Sequence, residues 1–375
     1  MKIAFAHHEP INPKKARWVA IVRSVAAVAE LQPVVWYTAN TIDEITKYAT
    51  EQLGLELPSG LTIQTLSSVH KRFGLTLNKV YFRALRKALN ADVLWLRSDK
   101  LAAFAAHKMP DTPMVYEAHL VGELWSQDKG DSNKKALRQA EIERQIYSKT
   151  AGVAAISNGL LTEIRQRFKY TGPSTIARSA VDMGLFQPVW QGGSNRIVYV
   201  GTLQFWKGLN ILLDALALTD FELEVIGDGK EKDLDALRNK ISELGLSERV
   251  HLLGRLSQPE IPDAVKDCLC AVHPLPAEHS ISARFTSPLK VMEYMAMGLP
   301  IVASDVPSVR EILTNNGNAL LYEAGSAESL AAALNQTKDA QTAQRISTQA
   351  TQDAQKYTYK QRAKKLVELF NNVGT

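Results

Sequence analysis

The stretch Arg196-Ile-Val-Tyr-Val-Gly-Thr-Leu-Gln-Phe-Trp-Lys-Gly208 decides the fold. Its apolar opening, Arg196–Val200, reads as a buried strand that ends at Gly201. A short loop follows, and Lys207-Gly208 opens a helix over 207–218. Gly201 lets backbone come close to a ligand, and Lys207 sets a cation beside a helix N-terminus that already favours anions. A phosphate is the natural ligand of such a turn. The plainer reading is a tight turn with a solvated lysine.

Downstream the pattern repeats. Strands at 222–226, 250–253, 269–273 and 300–303 alternate with helices at 231–244, 259–266, 288–297 and 307–313. Upstream, short apolar strands at 2–6, 34–37, 93–96, 114–116 and 153–156 are separated by helical segments, the first over 17–31. Such alternation indicates parallel βαβ units. The expected class is α/β, with two Rossmann-like doubly wound domains facing a central cleft and ligands at the carboxyl ends of the strands. The boundaries read as 1–185, a linker at 186–195 carrying Pro188, Gly192 and Gly193, a second domain at 196–355, and a helix in 356–375 that docks back on the first domain. Length agrees, since 375 residues exceed the roughly 250–300 at which a single core stops growing.

Composition sets further bounds. Hydrophobic residues at 45% and charged residues at 22% exclude a disordered or fibrous chain. Cys268 and Cys270 cannot build a disulfide framework, and without a His or Cys cluster nearby they read as reduced core thiols. No apolar run approaches the ~18 residues of a membrane span. Residues 1–6 are too short for a signal-peptide core, so a cytoplasmic protein is expected.

The net charge of +5 is unevenly held: residues 1–180 carry 25 Lys/Arg against 16 Asp/Glu, and residues 181–375 carry 19 against 23. The first half should therefore meet something anionic. Within it, His70-Lys71-Arg72, Lys79, Arg83 and Arg86-Lys87 interleave with apolar side chains across 70–90. That pattern fits an anionic membrane surface, which would make the protein peripheral on the inner face of the membrane. It also fits an ordinary helix with its apolar stripe turned inward. Nucleic acid is not an expected partner.

A second element is Phe285-Thr-Ser-Pro-Leu-Lys-Val-Met-Glu-Tyr-Met-Ala-Met-Gly298. Ser287 suits a helix N-cap and Pro288 the first helical position, which would leave the N–H groups of Leu289 and Lys290 pointing outward. Glu293, one to two turns in, could accept from both hydroxyls of a ribose. Taken singly, simple capping and an exposed carboxylate explain these residues as well. Asp233-Leu-Asp235 has the spacing of a metal-binding pair, but it lies in a charged helix and reads as a solvated face. No metal or other cofactor is expected.

Taken in order, Gly201…Lys207-Gly208, Val225-Ile-Gly-Asp-Gly229, Val250-His-Leu-Leu-Gly254, the run from Ser287 to Asp305, and Arg310-Glu-Ile312 resemble a known pattern. It is the donor-binding half of retaining GT-B glycosyltransferases of family 4, the group 1 type, over about residues 196–335. The N-terminal half resembles it through Val115-Tyr-Glu-Ala-His119, Ala155-Ile-Ser157 and Val181-Asp182.

The resemblance implies that Lys207 binds the diphosphate of a nucleotide sugar, in a donor site that also holds Gly201, Thr202 and Gly227. Thr286, Ser287, Pro288 and the N–H groups of Leu289 and Lys290 would hold the distal phosphate. Glu293 would bind the ribose, Arg255 and Leu256 would lie against the base, and His119 would stand near the reacting sugar. The sequence departs from the family at Thr202, where an arginine is usual, and Arg284 or Lys290 is the candidate substitute. It departs again at Phe285, where a glutamate usually touches the donor sugar, and Glu278 could reach back on a longer loop. His7, His8, Lys14, Lys15 and Arg17 are the candidate acceptor-side residues.

The implied activity is retaining, metal-independent sugar transfer from a UDP-sugar, or alternatively a GDP-sugar. The acceptor would be a glycan or lipid-linked molecule of cell-surface polysaccharide or glycolipid synthesis. Other readings are a non-catalytic nucleotide-sugar-binding pseudoenzyme, encouraged by Thr202 and Phe285, and a GT-B nucleotide-sugar epimerase.

Overall fold

The computed structural model describes residues 1–13, 15, 17–66, 78–204, 207–278 and 280–374. The chain forms two units, one of Met1–Arg178 with Tyr359–Thr375 and one of Ser179–Thr358.

The first unit runs β1 (Ile3–His7), α1 (Arg17–Ala29), β2 (Val34–Thr38), α2 (Ile42–Leu53), β3 (Leu61–Thr65), α3 (Asn78–Ala88), β4 (Val93–Leu96), α4 (Asp99–Lys108), β5 (Met114–Ala118), α5 (Gly122–Asp128), α6 (Asn133–Lys149), β6 (Gly152–Ala155), α7 (Asn158–Phe168) and β7 (Ser174–Ile176). The second runs β8 (Arg196–Val200), α8 (Leu209–Ala217), β9 (Glu222–Ile226), α9 (Glu231–Glu243), β10 (Val250–Gly254), α10 (Ile261–Val265), β11 (Cys270–His273), α11 (Ser280–Phe285), α12 (Leu289–Met297), β12 (Ile301–Ser304), α13 (Pro307–Arg310), β13 (Leu320–Tyr322), α14 (Ala327–Gln336) and α15 (Ala340–Ala354). A final helix, α16 (Tyr359–Val373), returns to the first unit.

Both sheets are parallel, in the orders β3-β2-β1-β4-β5-β6-β7 and β10-β9-β8-β11-β12-β13. Their inner strands are continuous apolar runs because helices cover both faces, as β1, β4 and β12 show by being buried throughout. In each sheet the winding reverses beside its first strand, between β1 and β4 and between β8 and β11. Loops diverge at those points and leave a crevice at the strands' carboxyl ends.

The expected linker at 186–195 is corrected. Phe186 is buried in the second unit's core with Val181, and the N–H groups of Val189 and Trp190 both donate to Met297 O. Trp190 Nε1 donates to Cys268 O at 3.0 Å. Proline and glycine mark the stretch, yet its apolar side chains bind it to the second unit, so the boundary falls at Ser179. Thr358 also belongs there through a bridge to Val181.

The segment 70–90 is only partly described, and 70–77 lie outside the described residues. In the described part of α3, Tyr81, Phe82 and Leu85 are buried while Lys79, Arg83, Arg86 and Lys87 are exposed. Tyr81 Oη donates to Tyr37 O at 2.8 Å, so the apolar stripe turns inward. No described helix is long and apolar enough to cross a membrane.

Helix α16 docks by its apolar stripe, with Leu366, Leu369 and Phe370 buried and the Phe370 ring 5.6 Å from that of Trp95. Arg362 is the polar anchor. Its guanidinium donates to Ser24 Oγ, to the carbonyls of Ala177 and Arg178, and to Glu117 Oε1 at 2.5 Å. Removing one partner of a buried ion pair costs about 3–5 kcal/mol, because the other charge stays behind. Arg362→Met should therefore lower the melting temperature of the first unit by roughly 6–20 °C in calorimetry. A change under one degree would show that the pair does not hold α16.

Candidate functional site

At the end of β8 the Val200 N–H donates to Tyr294 Oη at 2.8 Å, which ties α12 to this strand end. The loops after β8, β9 and β10 then close on one another. Gly201 N donates to Ile226 O, Leu203 N to Asp228 O, and Gly227 N to Gly254 O. A Cβ on Gly227, whose φ is +156°, would lie 1.7 Å from Gly201 O, so glycine is required there. The Thr202 carbonyl accepts from Tyr199 Oη at 3.0 Å. Gly208, at φ +73°, starts α8 with its would-be Cβ 1.4 Å from Pro274 O. That contact presses Lys207-Gly208 onto the end of β11. Burial lowers the Lys207 pKa to about 8.

The start of α12 departs from expectation. Pro288 precedes the helix, Leu289 is its first residue, and no side chain caps it. Ser287 is not the cap: its Oγ accepts from the Ser179 N–H at 2.9 Å, and Ser179 Oγ donates to the Ser287 carbonyl. The hydroxyl anchors the start of the helix to the segment by which the chain enters the unit, and no side-chain cap covers the N–H groups of the first turn. Those donors and the helix dipole suit an anion.

Glu293 is 1% exposed and accepts from Gln258 Nε2 at 2.9 Å and Lys290 Nζ at 2.6 Å. Gln258 is positioned by the reciprocal cap between Ser257 and Glu260. Lys290 is thus paired with Glu293, and Arg284 stacks over the Phe285 ring at 4.8 Å. Arg255 is exposed, Thr286 is half-buried, and Leu256 packs on the second core. Glu278 is exposed beside Gly325, whose would-be Cβ lies 3.7 Å from Glu278 Oε1. Asp235 pairs with Arg238 on an exposed face of α9.

The first unit has its own polar centre at the end of β5. His119 Nε2 meets Glu117 Oε1 at 2.7 Å, and Arg97 stands 3.4 Å from Nδ1. Burial and then the Arg97 charge push the His119 pKa down to about 4. Burial alone would raise the Glu117 carboxyl, but Arg362 and Arg97 hold it well below the ordinary range. Beside this centre lies a cavity of about 490 Å³ lined by His7, Arg17, Arg97, His119, Trp125 and Glu143, among others. Burial raises Glu143 to about 7, although its oxygens accept from the N–H groups of Gly122 and Glu123.

His7 and Arg17 therefore reach the cavity, with Arg17 paired to Glu9. His8 does not; it packs on the Phe82 ring at 5.4 Å. Lys15 is exposed, and Lys14 lies outside the described residues. Sequence reading overlooked Arg97, Glu117, Arg362, Gln258 and His273. Only Glu117 left a signal, a carboxylate inside a strand whose other residues are apolar.

Residues 185–353 match the model of the family described as Glycosyl transferases group 1. An uncharacterized glycosyltransferase of Methanocaldococcus jannaschii is 33% identical over 133 residues, which is 36% of this chain and 35% of that protein. The D-inositol 3-phosphate glycosyltransferase of Corynebacterium urealyticum is 26% identical over 248 residues, covering 63% of this chain and 55% of the relative. The chain thus spans about a third to a half of the length of these relatives. Among solved structures, Anabaena HepE in complex with UDP superposes over 99% of this chain and 100% of that one, with a TM-score of 0.75 at 18% identity. Sucrose-phosphate synthase from Thermosynechococcus elongatus covers 99% of this chain and 98% of its own, with a TM-score of 0.79 at 16% identity. These likenesses give the fold: a two-domain, Rossmann-like α/β architecture of the GT-B kind. Family match and relatives together support a group 1 glycosyltransferase.

The Lys207 shift carries a pH prediction. Below about 8 the ammonium is charged and attracts a diphosphate; above it the charge is lost. Affinity for a nucleoside diphosphate should weaken roughly tenfold between pH 7 and 9. Lys207→Arg should flatten that dependence, since arginine stays protonated. Titration calorimetry across this range decides it, and equal slopes in both proteins would refute the role.

Proposed function

We propose that the chain is a retaining glycosyltransferase that moves a sugar from a nucleotide-diphosphate sugar to a glycan or lipid-linked acceptor. The observation that carries this reading is the second unit's crevice. It gathers a half-buried lysine, a helix start without a side-chain cap and a buried carboxylate on the elements that follow β8 and β11. Lys207 and the first-turn N–H groups of α12 stabilise the diphosphate leaving group as its charge develops. Glu293, released from Gln258 or Lys290, accepts from the ribose. UDP is favoured over GDP because solved neighbours of this fold were crystallised with UDP and with UDP-glucose.

The first unit is assigned the acceptor side. Its cavity mixes Trp125 with paired charges, a lining suited to sugar hydroxyls. His119 at a pKa near 4 is neutral at physiological pH. Held through both ring nitrogens by Glu117 and Arg97, it is proposed to shape the acceptor side as a neutral group, while the departing phosphate takes the acceptor's proton. The fixed cations and helix dipole are proposed to serve without a metal ion.

A thermal-shift screen of nucleotide sugars, followed by donor consumption with and without acceptors, tests the reading. One donor should stabilise the protein and be consumed only with an acceptor, giving a product of retained anomeric configuration by NMR and activity that survives EDTA. Lys207→Ala should lower kcat/KM by about 10²–10³, the value of one preformed charge-stabilising donor. Donor binding without turnover over a broad acceptor panel would favour the pseudoenzyme instead, and full activity in Lys207→Ala would refute the donor site.

A further inference from the structure

His273 ends β11 at the point where the second sheet reverses its winding, and it is only 9% exposed. Its carbonyl accepts from Ser304 Oγ at 3.3 Å and from the Leu275 N–H at 3.2 Å, which fixes the backbone. The side chain is another matter. Nε2 is buried without a hydrogen-bond partner among the described residues. A ring nitrogen in that state is costly unless some group arrives to meet it.

The neighbourhood says what that group is. Pro274 O lies against Gly208, so Lys207 is carried to the end of the strand that bears His273. Burial first, and then the Lys207 charge, lowers the imidazole pKa to about 3. It is therefore neutral at physiological pH and keeps one N–H to donate. A half-buried ammonium beside a buried neutral imidazole suits an anion. The expected second cation of the site is absent at Thr202, Lys290 is held by Glu293, and Arg284 lies over Phe285.

We propose that His273 is a second phosphate ligand of the donor site, donating from Nε2 to an oxygen of the diphosphate that Lys207 holds. This rests on the donor reading above and extends it. Arg–phosphate recognition gives way here to an ammonium and a neutral imidazole N–H, so phosphate selectivity depends on geometry as well as charge.

Calorimetry with UDP and with uridine separates the possibilities, using the wild type, His273→Gln, His273→Leu and Lys207→Ala. His273→Leu should weaken UDP binding roughly tenfold, the value of one hydrogen bond to a charged group, while leaving uridine unaffected. His273→Gln, which restores an N–H at similar reach, should recover binding to within about threefold of wild type. His273→Leu binding UDP as well as wild type does, or losing uridine equally, overturns the assignment. If His273→Leu melts without ligand, the ¹⁵N-labelled imidazole of the wild type supplies the answer. The Nε2 resonance, identified by its loss in His273→Gln, should move with UDP and not with uridine; an unmoved resonance overturns the proposal. Loss of UDP binding in Lys207→Ala alone would leave the donor site standing without His273. A wild type that binds neither UDP nor GDP would remove both.

Discussion

A carboxylate sealed inside a parallel sheet governs the first unit. Glu117 is 0% exposed on β5, and a charge so placed is tolerated only with partners on every side. It has them in Trp95 Nε1, Arg97, His119 and Arg362. Three come from neighbouring strand ends; the fourth lies on a helix 245 residues along the chain. The fold therefore has to bring the chain back, and α16 is the element that does so. The same cluster holds the His119 ring through both nitrogens, so the geometry proposed for the acceptor side depends on a bond made by the final helix.

The second unit solves a different electrostatic problem. It draws on the acidic half of the sequence, yet its crevice presents a lysine, an imidazole and the positive end of a helix. Net charge is a poor guide at this range, because a few ångströms of low-dielectric surroundings outweigh distant surface carboxylates. Glu231 and Asp235 of α9 are exposed and paired with Arg238, and Lys240 of the same helix pairs with Asp214 of α8. The crevice is left to its own local field.

Much of the fold was legible because its inner strands are buried on both faces. The strands at 93–96, 196–200 and 222–226 match the expected limits, since unbroken apolar runs leave little choice. Edge strands were not legible. β3 is Leu-Thr-Ile-Gln-Thr and β7 only Ser-Thr-Ile, half-exposed segments whose pairing depends on the neighbour. Local grammar also misled at Ser287, whose partner Ser179 lies 108 residues away and competes successfully with the helix start. Gly201, Lys207 and Glu293 were candidates by spacing and helix position. Gln258, Arg97 and His273 did not, because each acquires its chemistry from a contact made only after folding.

The path of the chain has a temporal side. Synthesis delivers Glu117 long before Arg362, and at about 5–20 residues per second the gap is roughly ten to fifty seconds. Throughout that interval the first sheet holds a buried acid lacking one of its cations. The second unit, continuous from Ser179 to Thr358, has every partner it needs as soon as its own length has emerged. The half begun first is thus the half finished last, and a chaperone watching the nascent chain would find its exposed client at the N-terminal end.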